Sequence, residues 1–70
     1  MTQKISSAQR AGKKLKNLIK ESNRTQEKFA DEFFVDAVTV RRWIAHGINK
    51  VDTLEEIAKF FDIDITELLK

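Results

Sequence analysis

The segment TQEKFADEFFVDAVTVRRWIAHG, residues 25–47, carries two short apolar stripes on either side of Val35-Asp36. The first is Phe29, Ala30 and Phe33; the second is Val40, Trp43 and Ile44. Spacings of three and four residues place such side chains on one face of a helix. Thr25 and Asp36 are residue types that accept from the free backbone N–H groups of a helix N-terminus. Gly47 suits the left-handed geometry common just past a helix end. The segment therefore predicts a helix from Thr25 to about Phe33, a tight turn, and a second helix from Asp36 to near Gly47. Ala37, Val38, Arg41 and Arg42 lie on the second helix away from its apolar stripe. Two helices with a tight turn, the second turning small and guanidinium side chains outward, are what a helix-turn-helix reader of DNA needs.

Outward from this segment the helical reading continues. Ala8, Ala11, Leu15, Leu18 and Ile19 share one face of a helix over about Ser7–Ser22, opened by a Ser6/Gln9 capping box. Ser22-Asn23-Arg24 breaks the pattern. Ile48 to Asp52 reads as a loop. Thr53 with Glu56 forms a second capping box, starting a fourth helix that runs through Phe61 with Leu54, Ile57, Ala58 and Phe61 inward. Asp64 with Glu67 caps a last turn or two carrying Ile65, Leu68 and Leu69. Proline is absent and no segment sustains a period of two. The expected fold is all-α, with five short helices: a flexible N-terminal arm over residues 1–5 and one domain over residues 6–70.

Seventy residues support a single small core, one that buries only about 60% of the surface of the unfolded chain. With no cysteine and one histidine, neither a disulfide nor a metal site is expected, and no cofactor is implied. There is no glycine-rich phosphate loop and little volume for a pocket, so an enzyme is not expected. No run reaches the roughly 18 apolar residues of a membrane span, and the first residues lack a signal-peptide core. A soluble cytoplasmic protein is the expectation. The charge is lopsided: residues 1–50 hold 11 Lys and Arg against 5 Asp and Glu, and residues 51–70 hold 2 against 6. Lys4, Arg10, Lys13, Lys14, Lys16 and Lys20 all precede the first acid, Glu21. Such a run attracts a polyanion, or is a solvated helix face.

The register as a whole resembles the Cro/cI (XRE) helix-turn-helix family. The matching residues are Gln26, Phe29, Ala30 and Phe33, then Val35, Val40 and Trp43, then Thr53, Leu54, Ile57, Ala58, Phe61, Ile63, Ile65 and Leu68. The resemblance covers roughly residues 10–69. It implies a compact five-helix, lambda-repressor-like DNA-binding domain, phage-repressor-like in function, that binds operator DNA as a dimer. By the same resemblance Gln26 touches a phosphate, Ala30 lies where helices 2 and 3 cross, and Val40 is the buried aliphatic of the recognition helix. Ala37, Val38 and Arg42 match positions facing base edges; Thr39, Arg41 and the loop after helix 3 match positions near the backbone. The chain departs from the family in three places. Phe34 stands where glycine is usual, so either the turn is built differently, with Phe34 in the core, which is the favoured reading, or the strain of a left-handed residue with a Cβ, about 1–2 kcal/mol, is tolerated. One extra residue separates Trp43 from Gly47. The proline common in the following loop is missing.

The side-chain chemistry fits these assignments. Arg42 offers guanine O6 and N7 two donors, or else is a solvated arginine or pairs with Glu32 or Asp36. Ala37 and Val38 offer only apolar contact. Gln26 opens helix 2, where free N–H groups favour an anion. Arg24, Lys28, Asn49 and Lys50 reach the DNA backbone from the flanks, or remain in solvent. His46 is a phosphate contact or a wet residue of the last turn. Trp43 follows the apolar stripe and is expected in the core. The expected function is a sequence-specific double-stranded DNA-binding transcriptional regulator, a repressor. The alternative is a helical protein-interaction module such as an antitoxin or adaptor. A homodimer through the C-terminal helix, using Ile63, Ile65, Leu68 and Leu69, is the expected assembly.

Overall fold

The computed structural model describes residues 7–69. The expected arm, and Ser6 of the first capping box, lie outside the described residues. The helices are α1 (Ser7–Glu21), α2 (Gln26–Glu32), α3 (Ala37–His46), α4 (Val51–Phe60) and α5 (Ile65–Leu69). No strand occurs among the described residues. The all-α, five-helix expectation holds, and α2 and α3 form the helix-turn-helix.

Helix starts follow the sequence unevenly. Thr25 caps α2 as expected: its Oγ1 accepts from the Lys28 N–H at 3.0 Å. Asp36 occupies the N-cap of α3 in extended geometry, but its side chain makes no capping bond. Asp64 precedes α5, and its Oδ1 accepts from the N–H and the hydroxyl of Thr66, each at 3.0 Å. The fourth helix corrects the sequence reading. It begins at Val51 with Lys50 as N-cap, not at Thr53. A capping threonine needs extended backbone. Ile48 is buried and helical geometry sets in from Val51, three residues sooner than a Thr53 cap would give, so Thr53 falls inside the first turn.

Three helices end in the same way. After α1 the N–H of Asn23 donates to the Lys20 carbonyl at 3.1 Å and that of Arg24 to the Ile19 carbonyl at 3.2 Å. After α2 the same pair of bonds joins Phe34 to Asp31 (3.3 Å) and Val35 to Ala30 (2.9 Å). After α4 it joins Asp62 to Lys59 (3.1 Å) and Ile63 to Ala58 (2.9 Å). This is the Schellman arrangement, which requires one left-handed residue. Asn23, Phe34 and Asp62 supply it, at φ 60°, 62° and 56°. Asn and Asp visit that region readily; phenylalanine does so at a cost of about 1–2 kcal/mol. Phe34 is also 93% exposed. Of the two alternatives, the favoured one, an altered turn with Phe34 in the core, is therefore wrong, and tolerated left-handed strain is the outcome. The usual turn is kept, and its backbone bonds carry the Phe34 side chain outward. Val35, the next residue, is the one that packs against the core.

The core draws on every helix. Ala11, Leu15 and Ile19 of α1 meet Phe29 and Ala30 of α2, Val40 of α3, Leu54, Ile57 and Ala58 of α4, and Leu68 of α5. Phe29 is its aromatic centre. It stacks on Phe33 and Phe61 at 5.1 and 5.5 Å between centroids and meets Phe60 edge-on at 5.1 Å. Trp43 closes the cluster edge-on to Phe33 at 6.0 Å. It packs with the core and does not offer a stacking platform, as its spacing predicts.

Helix α1 crosses the end of α3 at backbone distance. A Cβ on Gly12 would overlap the Trp43 carbonyl oxygen. Gly47, at φ 102°, faces back: a Cβ there would lie 2.7 Å from the carbonyl carbon and oxygen of Ala8. The Ile48 N–H donates to that same Ala8 oxygen at 3.0 Å.

Phe34→Gly tests the turn. It relieves the left-handed strain and gives up no burial, while glycine itself costs about 0.5–1 kcal/mol in unfolded-state freedom. The variant is expected to be between equally stable and about 1 kcal/mol more stable in thermal melts. A loss near 3 kcal/mol, the size of a large core truncation, would mean that Phe34 is packed.

Candidate nucleic-acid interface

The outward side of α3 carries Val38, Arg41, Arg42, Ala45 and His46, all exposed. Val38, Arg42 and Ala45 are spaced i, i+4 and i+7 and so form one ridge. Ala37 and Thr39 are half-buried, and Ala37 packs against the core. Of the three expected base contacts, Val38 and Arg42 therefore stand forward and Ala37 lies lower on the helix flank.

Two open grooves on the surface have polar and cationic residues in their linings. One, of about 320 Å³, runs past the start of α2 and is lined by Lys16, Ile19, Lys20, Arg24, Thr25 and Gln26. The other, of about 340 Å³, lies between α3 and the start of α4 and includes Thr39, Asn49, Lys50 and Thr53. The structure thus brings Thr39, Asn49 and Lys50 together, and sets Gln26 beside two lysines that the sequence reading had not placed at the site. Their signal was available. Lys16 and Lys20 are one turn apart on α1, away from the Leu15–Ile19 stripe.

Ion pairs sort the cations. The Arg24 Nε donates to Glu32 Oε1 at 2.6 Å, and its guanidinium lies 5.1 Å from the centroid of the Phe60 ring. Arg24 thereby ties the α1–α2 turn to α2 and α4. Lys28 Nζ is 3.9 Å from the other Glu32 oxygen. Arg41 Nη1 donates to Glu27 Oε2 at 3.3 Å, joining α3 to α2. With Glu32 occupied, the pairing considered for Arg42 does not form. Among the described residues Lys16, Lys20, Arg42 and Lys50 pair with no carboxylate. His46 stands exposed at the end of α3.

The far end of the molecule is different. Leu68 is wholly buried in the core of the single chain, so it offers nothing to a second copy. Ile63, Ile65 and Leu69 are half-buried against that core. Among the described residues no helix is long and apolar enough to cross a membrane, and no cluster of three or more His, Cys, Asp or Glu could hold a metal ion.

No protein-family model matches the chain, and no curated protein matches its sequence significantly. Its structure is similar to the solution structure of the SOS-response transcriptional repressor LexA from Eubacterium rectale. The TM-score is 0.80 at 22% identity, covering all of this chain and 74% of that one. At that identity the likeness carries the fold, a helix-turn-helix domain. The Cro/cI resemblance continues to rest on the residues quoted for it.

The Glu27–Arg41 pair is solvent-exposed on both sides, and such pairs contribute little to stability. Glu27→Gln is expected to leave the melting temperature unchanged. It removes a negative charge beside Gln26 and frees Arg41. If this face takes duplex DNA, the variant should bind it more tightly, with a salt dependence steeper by up to about one phosphate equivalent. Fluorescence anisotropy across a salt series checks this; unchanged affinity and slope would show that Arg41 stays away from the backbone.

Proposed function

We propose that this chain binds duplex DNA sequence-specifically as a transcriptional regulator, with α3 in the major groove. The observation that carries the reading is Arg42. It is exposed on the outward ridge of α3 and, among the described residues, pairs with no carboxylate. Base contacts give sequence and phosphate contacts give register; Val38 and Arg42 are suited to the first. For the second, Gln26 with Lys16 and Lys20 serves one strand, and Thr39, Asn49 and Lys50 serve the other. Ala37 contributes closeness of approach at the helix flank. Arg41 and His46 supplement the phosphate contacts, whereas Arg24 and Lys28 act mainly through Glu32. Repression, in the cytoplasm, is the mode we favour; the structural neighbour is itself named a transcriptional repressor.

A protein-interaction module is the second reading, and Phe34 is the observation in its favour, a large apolar side chain left in solvent. One such residue is not a patch, and the charged surroundings of α3 fit a polyanion better.

Two measurements test the proposal. If each subunit neutralises about four to six phosphates, log affinity falls against log salt with a slope of about −0.9 per phosphate. Arg42→Ala should cost about 1–3 kcal/mol on the selected site and relax preference at one base pair, while Gln26→Ala weakens all sequences alike. A slope near zero, or an Arg42→Ala protein with unaltered base preference, would overturn the reading.

We also propose that two copies occupy two half-sites about one helical turn apart, because one module seldom discriminates enough sequence by itself. With Leu68 inside the single-chain core, pairing falls to the half-buried Ile63, Ile65 and Leu69 and is expected to be weak off DNA. Sedimentation with and without a palindromic duplex decides. A monomer that fills half-sites without cooperativity would refute the dimer and leave DNA binding standing.

A further inference from the structure

The ridge of α3 is chemically sparse. Of Val38, Arg42 and Ala45, only Arg42 can hydrogen-bond through its side chain. The neighbouring Arg41 is drawn aside to Glu27 on α2. At the N-terminal end of the ridge, the part of a recognition helix that meets base edges, stands Val38. It is 57% exposed, outside the set of side chains packed against the core, and stiff at χ1 because of its β-branch. A folded domain leaves two methyl groups there at a cost in solvation.

The major groove offers one bulky apolar feature, the 5-methyl group of thymine; beyond the small C–H edges of the bases, its other exposed groups are donors and acceptors. A valine pressed on guanine N7 and O6, or on the cytosine amino group, strips those atoms of water and returns no hydrogen bond, which is unfavourable. The same valine on thymine buries methyl against methyl. Val38 therefore selects by attraction and by exclusion together.

We propose that Val38 is a thymine-methyl reader, and that the half-site of this protein pairs a thymine under Val38 with a guanine under Arg42. The inference rests on the DNA-binding reading above and names the class of sequence that the ridge accepts.

The test begins with a site selected from random duplex DNA. Each thymine is then replaced singly by deoxyuridine, which keeps base pairing and lacks only the methyl group. One or two positions should lose about fourfold in affinity, the scale of burying one methyl group. That loss should vanish in Val38→Ala and persist in Arg42→Ala, a double-mutant cycle between one side chain and one methyl group. Val38 is exposed, so its alanine variant should melt with the parent protein, and Val38→Thr provides a variant of equal shape. The proposal is overturned if every deoxyuridine duplex binds as well as the thymine duplex, or if Val38→Ala keeps the full penalty. In both cases specific binding of the selected site shows that the DNA reading survives. If selection yields no preferred duplex at all, both fall together.

Discussion

Everything in this domain hangs on the backbone contact between α1 and the end of α3. Gly12 lies against the carbonyls of Trp43 and Ile44, Gly47 lies against Ala8, and one hydrogen bond joins the Ile48 N–H to the Ala8 oxygen. Side chains on either glycine would push the helices apart. Because they meet this closely, the polar face of α1 sits next to α2 and α3, and Lys16 and Lys20 line the same groove as Gln26. The contact also fixes the path of residues 47–50. That path buries Ile48 and turns Asn49 and Lys50 toward Thr39.

Within this frame the charges are divided. Arg24 and Lys28 are occupied by Glu32 and Arg41 by Glu27; the last pair joins α2 to α3. Lys16, Lys20, Arg42 and Lys50 are left open. The first set shapes the unit and the second faces outward. Sequence cannot separate the two sets, because every member is an exposed or half-exposed cation near α2 or α3. The difference lies in which carboxylate comes within reach.

The fold was readable where apolar residues recur at helical spacing. The stripes on α1, α2, α3 and α4 all face the core, and Val40, Trp43 and Ala30 lie where their register puts them. Val38 and Arg42 stand outward for the same reason. What escaped the sequence was backbone geometry. Thr53 and Glu56 spell a capping box, yet the helix starts at Val51 with Lys50 as its cap and the motif goes unused. Asp36 sits at a cap position without bonding there. Phe34 is the sharpest case. Hydrophobicity argues for burial, but the two hydrogen bonds that close α2 dictate a left-handed residue, and they prevail over a side chain that a small core has no room to take back.

The Gly12–Gly47 crossing also bears on how the surface of α3 holds its shape over time. Its partners are more than thirty positions apart in the chain, so the contact closes a long loop. The entropy of closing such a loop grows only slowly with its length, but it is recovered only when α1 is fully seated. The last turn of α3 is closed locally by the Gly47 N–H on the Trp43 carbonyl at 2.8 Å, whereas the loop beyond it is tied to α1 through Ile48 and Ala8. The end of α3 is thus coupled to the seating of α1, and the Ile48 amide proton, bonded to the Ala8 oxygen, is the natural reporter of that contact.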